Sequence, residues 1–351
     1  MTALRGGYTT GCFAAAAAKA ALATLCGVPM ADSVEVSLPD GERVSFPLIS
    51  CQRNSDGAEA VVRKFAGDDP DVTDKACVAA AVTFIDGEEI VFVAGEGVGM
   101  VTKPGLALPP GEPAINPGPR KMIRAAVREL TSRGVRVTIS IPGGRELALR
   151  TFNPRLGIEG GLSVLGTTGR VRPFSAPDLC EALKCALDVA KACGIVAPVL
   201  VPGNIGEHAA RQNFSLRPEQ IVQVSNQWGY MLDRAKEHGF ERWLVLGHPG
   251  KLAKLVLGEW DTHSAHSSSA VPVVTQLAKS VVSAPVTEST TVEGILEALA
   301  QAERAQLADL LAAKIHGAIS ERVGPQQELA VALINLGGDL IGSFGDLTPW
   351  R

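Results

Sequence analysis

Residues 7–27 read GYTTGCFAAAAAKAALATLCG, an alanine-rich run directly behind a Gly-Tyr-Thr-Thr-Gly turn. A secretory signal peptide has a basic start and an uninterrupted apolar region, but here glycines and threonines replace the basic start and Lys19 interrupts the alanines. Alanine is also too weakly hydrophobic for a membrane span of roughly 20 strongly apolar residues. It has the highest helix propensity, and Thr9 or Thr10 is placed to cap the N-terminus. The stretch predicts a soluble helix over Ala14–Leu25 and a cytoplasmic protein.

The composition is typical of a globular protein. The chain has 351 residues, of which 46% are hydrophobic and 20% charged, enough for two domains with a core each. The net charge of -4 argues against a general nucleic-acid surface but permits a local basic pocket for a small acidic ligand. The seven cysteines form no CxxC pair, so neither a zinc ribbon nor a thioredoxin-like motif is predicted. Scattered thiols suit a reducing cytoplasm, where most are small core residues.

The first half of the chain mixes strands and helices. The predicted strands are Val34–Leu38, Val44–Leu48, Ala60–Phe65, Ile90–Ala94, Val135–Ile141 and Leu162–Leu165. Pro39-Asp40-Gly41 gives the first two strands a hairpin turn. A second helix is predicted over Arg120–Arg133. We therefore expect residues 1–174 to form an α+β domain.

From residue 175 onwards, helical patterns alternate with apolar runs. The predicted helices are Ala176–Cys193, a segment that ends at His238, and two segments at about 293–300 and 303–322. The predicted strands are Ile195–Val201, Gln220–Val224, Arg242–Leu246, Ala330–Ile334 and Leu340–Ser343. Because strands alternating with helices predict a mostly parallel sheet, we expect residues 175–351 to form an α/β domain. The boundary is placed near Arg172-Pro173-Phe174.

Two glycine-rich turns follow predicted strands in the second half, at Pro202–Glu207 and Gly247–Lys251. Open α/β sheets bind ligands outside the carboxyl ends of their strands. Glycine permits close backbone approach, and a helix N-terminus favours an anion. Each turn is a candidate for the carboxylate or ribose of a nucleotide-like cofactor. A purely structural turn between strand and helix is the alternative.

Several familiar motifs are absent or incomplete. The stretch GEGVG at 95–99 lacks the third glycine of a GxGxxG fingerprint, and no P-loop, GxSxG elbow or HExxH occurs. His263 and His266 have the spacing of metal ligands but no obvious third ligand. The aspartates of residues 68–74 fit no EF-hand. We therefore predict no metal site.

Basic residues cluster at the start of the second predicted helix. Arg120, Lys121 and Arg124 follow Asn116-Pro117-Gly118-Pro119. Cations in a first helical turn oppose the helix dipole, which indicates an anionic ligand; a solvated basic turn is the equal alternative. These residues describe a two-domain protein with ligand-binding loops and leave its reaction open.

Nine stretches of the chain together point to a known family. They are GYTTGCFAAAAAKAA, KFAGDDPDVTD, GEGVGMVTKPGL, EPAINPGPRKMI, FNPRLGIEGGLSVLGTTG, VPGNIGEHAAR, LVLGHPGKLAKL, DTHSAH and VALINLGGDLIGSFG. In their residues and in their order along almost the whole chain, they resemble the CbiD family of anaerobic cobalamin biosynthesis. Cys12-Phe13 departs from the family, in which Thr-Cys is expected, and this puts any role of a thiol there in doubt.

The resemblance implies S-adenosylmethionine-dependent methylation of C-1 of cobalt-precorrin-5B to give cobalt-precorrin-6A, without the tetrapyrrole-methylase fold. The methyl group of a sulfonium is already activated, so the protein has to align the reactants and exclude water. Cobalt then enters only as part of the substrate. Carboxylates and backbone carbonyls suit the sulfonium, whereas arginine and lysine suit the carboxylate arms of the tetrapyrrole.

On that basis the site residues are assigned to the two domains. The cofactor is expected on the second domain, at Gly203, Asn204, Gly206, Glu207, Gly247, His248 and Gly250. The corrinoid is expected on the first domain, at Thr9, Thr10, Lys103, Asn116, Arg120 and Arg155. The Thr-Thr-Gly turn is expected to leave two hydroxyls free for a carboxylate arm. Asp68 or Asp69 is expected to accept a proton or to balance charge.

Two rival functions stay open. One is the same reaction on metal-free precorrin-5, and the other is a non-catalytic corrinoid carrier. The glycine turns of the second domain favour a second ligand, which a carrier does not need. The expected partners are small molecules and neither nucleic acid nor a membrane. The sequence does not decide the oligomeric state; a homodimer is one candidate, because biosynthetic enzymes of this kind are often dimers.

Overall fold

The computed structural model describes residues 4–282 and 289–351. The chain divides into two compact units, Met1–Ala176 and Pro177–Arg351; the sequence places the boundary after residue 174. The first unit is α+β, and the second is α/β with a mostly parallel sheet, which confirms the predicted fold class. In the described ranges, no helix combines the length and apolar character needed to cross a membrane.

The first unit is built on a six-stranded sheet. The strands of the whole unit are β1 (Gly7–Tyr8), β2 (Ser33–Ser37), β3 (Arg43–Arg53), β4 (Ala58–Arg63), β5 (Cys77–Ile85), β6 (Ile90–Ala94), β7 (Met100–Val101), β8 (Gly134–Ser140), β9 (Ile158–Glu159) and β10 (Arg170–Val171). Its helices are α1 (Thr10–Leu25), α2 (Pro117–Arg128), α3 (Gly144–Ala148) and α4 (Asn153–Leu156). The large sheet has the order β2-β3-β4-β5-β8-β6 and is antiparallel except for the pair β6 and β8. The pairs β1–β10 and β7–β9 form two small sheets.

Helix α1 forms the centre of the first unit's core. Thirteen of its 16 residues are buried, and it packs against β2, β3, β4, β5 and α2. Alanine on every side lets the helix backbone approach all of these neighbours, so the sequence has no amphipathic stripe. The predicted helix is confirmed, and it begins at Thr10 rather than at Ala14.

The central strand β5 has no counterpart in the sequence prediction. It pairs with β4 on one side and β8 on the other. Its residues, CVAAAVTFI, are rich in alanine and lack the alternation that predicts a strand. Its place between two other strands pairs its backbone on both sides.

Two predicted elements of the first unit need correction. The strand predicted at Leu162–Leu165 is wrong, because this segment forms only isolated bridges to Val98 and Ile115. The helix predicted over Arg120–Arg133 instead spans Pro117–Arg128. Proline is favoured in a first helical turn, so the helix starts before the basic residues.

The second unit combines five strands with seven helices in its described part. The strands are β11 (Val199–Val201), β12 (Ile221–Gln223), β13 (Arg242–Gly247), β14 (Glu328–Ile334) and β15 (Leu340–Phe344). The helices are α5 (Ala176–Ala192), α6 (Asn204–Asn213), α7 (Trp228–Glu237), α8 (Pro249–Leu252), α9 (Val271–Val281), α10 (Val292–Glu297) and α11 (Gln301–Val323). Helix α9 is not among the predicted helices; for the serine-rich stretch before it, the sequence allows either a solvated loop or a capped helix start.

The strand order of the second unit creates a crevice. The order is β12-β11-β13-β14-β15, with β11 to β14 parallel and β15 antiparallel. From β11 the chain moves outward to β12, and it then crosses back past β11 to β13. The order therefore reverses between β11 and β13, and such a switch point opens a crevice at the carboxyl ends of the two strands.

Replacing Ala17 with leucine should lower the free energy of unfolding by about 1–3 kcal/mol, because the added methyl groups have no space. Ala17 has no exposed surface. The matched control is Ala305→Leu, at an exposed position of α11, which should change that free energy by less than about 0.5 kcal/mol. Urea unfolding followed by circular dichroism measures both. Equal midpoints for the two variants would contradict the close packing of α1.

Candidate functional site

The N-terminus of α1 is bonded to the loop at 165–169. The hydroxyl of Thr9 accepts a bond from the N–H of Cys12 at 3.4 Å. The hydroxyl of Thr10 accepts from the N–H of Leu165 at 2.9 Å and donates to the carbonyl of the same residue at 3.3 Å. Both threonines are buried. The expectation of two free hydroxyls is therefore wrong; contact of either threonine with a substrate stays a prediction.

Helix α2 starts beside α1. A Cβ atom at Gly11 would stand 2.5 Å from Cγ of Pro119, so the two helix N-termini touch through a glycine and a proline. Asn116 is the N-cap residue of α2, although its side chain makes no capping bond. Because each N-terminus carries a partial positive charge, this corner suits a carboxylate.

Arg120 is held by the segment before α2. Its Nε donates to the carbonyl of Ile115 at 2.7 Å, and its Nη2 pairs with Glu112 at 2.9 Å. The ring centroid of Phe92 lies 5.3 Å from the guanidinium carbon, and 15% of the arginine side chain is exposed. Arg120 therefore braces this loop, and a substrate carboxylate would compete with Glu112 for it.

Lys103 and Arg155 belong to one loop cluster. A Cβ atom at Gly157 would stand 2.3 Å from Cγ of Lys103, so the lysine stem lies across this glycine. Gly157 ends α4 with a φ of 73°, a conformation that favours glycine. Arg155 is exposed on α4, two residues before this contact. Lys103 thus contacts the residue that ends the helix carrying Arg155.

Three loops of the first unit meet at Gly97. Cβ atoms at Gly144 and Gly161 would stand 2.3 and 2.2 Å from the carbonyl oxygen of Gly97. Gly97 itself has a φ of 70°, and a Cβ atom there would stand 2.0 Å from the carbonyl oxygen of Ile141. We call this contact the glycine junction. Here the glycines of GEGVG serve backbone packing.

An acidic cleft of about 430 Å³ lies beside the glycine junction. Its walls include Glu96, Glu146, Glu159, Arg145 and Met100. Two of the loops that form it follow the parallel strands β6 and β8, and a third wall comes from β9 and the turn after it. With three carboxylates and one guanidinium, the cleft suits a cation better than a polycarboxylate. The sequence did not predict it, because its walls come from loops far apart in the chain.

The two predicted catalytic aspartates are both bonded. Arg5 donates to Asp68 from its backbone N–H at 2.8 Å and from its guanidinium at 2.9 and 3.1 Å. These bonds lower the pKa of Asp68. Asp69 accepts from the N–H of Phe174 at 3.0 Å. Asp68 is therefore bound through both oxygens, whereas Asp69 is bonded through one as far as the structure describes the chain.

A buried ion pair lies beneath the same acidic loop. Lys64 is almost fully buried and pairs with Asp71. Asp71 also accepts from the N–H and the hydroxyl of Thr73, at 2.7 and 2.6 Å. Burial alone would raise the pKa of Asp71, but Lys64 and Thr73 together hold it below its ordinary value. The ion pair therefore fixes the loop that carries Asp68 and Asp69.

The two glycine-rich turns of the second unit lie together at the switch point. A Cβ atom at Gly247 would stand 2.9 Å from Pro202, and one at Gly206 would stand 3.0 Å from Val201. Gly203 differs, since a Cβ atom there would meet nothing within 4 Å. Gly206 and Gly247 thus let the turns pack closely, while Gly203 borders open space.

Hydrogen bonds hold the polar side chains of the first turn. Gln223, the last residue of β12, donates to Asn204 at 3.0 Å and to Glu207 at 2.7 Å. Arg211 also donates to Glu207 at 3.0 Å. The sequence did not predict Gln223, because its role depends on β12 lying next to β11.

The second turn is bonded to a distant helix. Nδ1 of His248 accepts from the N–H of Gly250 at 3.0 Å, and its Nε2 lies 2.7 Å from the carboxylate of Glu293 on α10. Because Nδ1 accepts, Nε2 carries the proton and donates to Glu293. The structure adds Glu293 to this region; no sequence signal pairs it with His248.

The loop at 261–268 holds the two histidines with metal-ligand spacing. Their rings, His263 and His266, lie 5.2 Å apart. Asp261 accepts from the N–H of His263 at 3.0 Å and lies 3.4 Å from Nδ1 of His266. In residues 4–282 and 289–351, no group of three or more His, Cys, Asp or Glu side chains is arranged to hold a metal ion.

Two protein-family models match this chain, one at each end. The family model CbiD matches residues 1–173, and the model CbiD, C-terminal domain, matches residues 261–344. A cobalt-precorrin-5B C(1)-methyltransferase of Syntrophotalea carbinolica is 56% identical over 351 residues, which cover 100% of both chains. The chain belongs to the CbiD family.

Other CbiD proteins match over nearly the same length. The Moorella thermoacetica protein of the same name is 40% identical and covers 97% of this chain and 94% of its own. The Methanocaldococcus jannaschii protein is 39% identical, with 96% of each chain covered. A crystal structure of the cobalamin biosynthesis protein CbiD from Archaeoglobus fulgidus is 33% identical. That match covers 74% of this chain and 82% of the other, with a TM-score of 0.41.

Cys12 and Phe13, where the sequence departs from the family pattern, lie inside the core of this CbiD protein. Cys12 has no exposed surface, and burial raises the pKa of its thiol to about 12. Phe13 packs edge to face against Phe46, with centroids 4.9 Å apart. Since only a thiolate is an effective nucleophile, Cys12 is a packing residue.

Cys12 should resist alkylation in the native protein. At pH 8, iodoacetamide should label the exposed Cys26 and leave Cys12 unmodified, because the Cys12 thiol is both buried and protonated. Peptide mass spectrometry measures both positions, and labelling in guanidinium chloride, where both should react, is the control. Rapid native labelling of Cys12 would contradict its burial.

Breaking the Lys64–Asp71 pair from one side should be costly. Asp71→Asn should lower the free energy of unfolding by about 3–5 kcal/mol, because it leaves a buried ammonium without its partner. The double variant Lys64→Met, Asp71→Asn should recover much of this loss, while Arg43→Gln, in an exposed pair, should cost at most about 1 kcal/mol. Urea unfolding measures all three. A double variant that is no more stable than Asp71→Asn alone would contradict the coupling.

Proposed function

We propose that this CbiD protein transfers a methyl group from S-adenosylmethionine to C-1 of cobalt-precorrin-5B and so forms cobalt-precorrin-6A. The observation that carries the proposal is the 56% identity with the S. carbinolica methyltransferase over the full length of both chains. Cobalt belongs to the substrate. A homodimer and a cytoplasmic location stay predictions from the sequence.

The crevice of the second unit is the proposed cofactor site, and its residues fit the group. Gly203 exposes its backbone, while Gln223 holds the oxygens of Asn204 and Glu207 beside it. Oxygens of this kind accept bonds from ribose hydroxyls. When bound, S-adenosylmethionine supplies a methyl group that needs no further activation.

His248 and Glu293 keep the second turn of the crevice in one conformation. The bond from His248 to Glu293 ties the turn after β13 to α10, and the bond from the Gly250 N–H fixes the imidazole. A turn fixed before binding loses little conformational freedom when the ligand arrives. These residues therefore favour correct alignment of the reactants.

The first unit is the proposed corrinoid side. The paired N-termini of α1 and α2, with Asn116 and Arg120, offer positive charge to one carboxylate arm. Lys103 and Arg155 offer it to another from their shared loop cluster. Thr9 and Thr10 take part by holding the loop at 165–169 in place.

Asp69 is the proposed proton acceptor or charge partner. Arg5 occupies both oxygens of Asp68, so Asp68 serves to position the loop. The Lys64–Asp71 pair supports this loop from below. Asp69→Asn should therefore lower kcat more than Asp68→Asn does.

The activity is tested with labelled S-adenosylmethionine and each of the two candidate substrates, cobalt-precorrin-5B and metal-free precorrin-5. Methyl transfer to the cobalt form, and little to the metal-free form, is expected. Corrinoid binding without transfer to either substrate would contradict the proposal and favour the carrier.

The cofactor location is tested by filling the space at Gly203. Gly203→Val should weaken S-adenosylhomocysteine binding at least about tenfold, a loss of about 1.4 kcal/mol, because its side chain occupies the crevice. Gly317→Val is the matched control, since its Cβ atom also meets nothing within 4 Å. Calorimetry measures the affinity of both variants for S-adenosylhomocysteine. The double variant Glu96→Gln, Glu159→Gln, in the acidic cleft, is measured as a third arm. Loss of binding in that arm alone would place the cofactor in the first unit instead.

A further inference from the structure

Lys251, the last residue of the second glycine-rich turn, and Lys254 behind it have no role in the function proposed above. Lys251 is half-buried on α8. Lys254, one helical turn later, is 9% exposed. Both follow β13 directly, at the carboxyl edge of the parallel sheet.

Neither ammonium forms an ion pair within residues 4–282 and 289–351. Lys254 donates to two neutral oxygens, the carbonyl of Thr262 at 3.1 Å and the hydroxyl of Ser267 at 2.8 Å. Burial, together with the charge of Lys254, lowers the pKa of Lys251. Two positive charges are thus close together and partly removed from water.

The nearby carboxylates are bonded to other donors. Glu259 accepts from the N–H and hydroxyl of Ser268, at 3.3 and 2.9 Å. Asp261 accepts from His263 and contacts His266. Buried charges in proteins are normally paired, yet in the part of the chain that the structure describes no carboxylate pairs with Lys251 or Lys254.

The lysines lie close to the crevice. Lys254 is bonded to Thr262, whose N–H donates to the carbonyl of Asn226 at 3.0 Å. Asn226 follows β12, and Lys251 follows β13. The positive charge therefore stands among the loops at the carboxyl ends of these strands, where ligands of such sheets bind.

We propose that Lys251, assisted by Lys254, binds a carboxylate group of a ligand at this edge of the second unit. An ammonium pairs with a carboxylate through a short, charge-assisted bond. Two sources carry this chemistry, the amino-acid end of S-adenosylmethionine and a side-chain arm of the corrinoid. The naming of these sources rests on the proposed function; the anion site itself rests on the two lysines.

Lys251→Met tests the site, because methionine keeps the length of the side chain and removes the charge. If the carboxylate is that of the cofactor, affinity for S-adenosylhomocysteine should fall roughly tenfold to hundredfold. Affinity for methylthioadenosine, which lacks the carboxylate, should not change. If the carboxylate belongs to the corrinoid, both nucleosides should bind as before while KM for cobalt-precorrin-5B rises. Lys279→Met, at an exposed position of α9, is the control.

Wild-type behaviour of Lys251→Met toward both nucleosides and the corrinoid would overturn the proposal. A structural role is tested separately by urea unfolding. Loss of an unpaired half-buried charge should leave the unfolding midpoint unchanged or raise it, whereas a fall in the midpoint would show that Lys251 serves stability instead.

One measurement is independent of methyl transfer. Succinate, compared with sodium chloride at equal ionic strength, should raise the melting temperature of the full chain and should not raise that of Lys251→Met. If succinate stabilises the wild-type chain but no methyl transfer is found, the proposed function is rejected and the anion site is kept. If methyl transfer is found but neither Lys251→Met nor succinate has any effect, the anion site is rejected and the proposed function is kept.

Discussion

The packing of α1 against β3, β4 and β5 sets the geometry of the first unit. A helix made of alanine holds its backbone close to the sheet, and its N-terminus reaches the loop at 165–169 with little side-chain material between them. Gly11 and Thr10 complete that contact through Pro119 and Leu165. The positions of the proposed substrate groups on α2 and its preceding loop therefore depend on how closely α1 packs.

The second unit depends on the order of its strands. Because the chain passes from β11 to β12 and then back to β13, two glycine-rich turns become neighbours although 39 residues, 208–246, separate them in sequence. The turns are held by bonds to side chains outside them, Gln223 and Glu293. The same edge also collects charge, so the fold provides open backbone, hydrogen-bond acceptors and ammonium groups in one region.

The sequence predicted elements whose pattern is local. The alanine run, the helices of the second unit and the alternation of strands with helices follow from propensity and periodicity. It did not predict β5, because an alanine-rich segment becomes a strand only between two others. The same limit applies to the site. The positions of the two glycine turns followed from strand–turn–helix spacing, but the bonds from Arg5 to Asp68 and from His248 to Glu293 join residues far apart in sequence. The hydroxyl of Thr10 was not predicted to be bonded for a related reason, since its partner Leu165 comes from the far end of the unit.

The glycine junction has a consequence for how this unit can change. Three loops share one backbone contact at Gly97, so an insertion in any one of them displaces the other two. The acidic cleft is built from the same three loops. A change of length in one wall of this cleft therefore requires matching changes in the other two loops, whether it arises in evolution or by engineering.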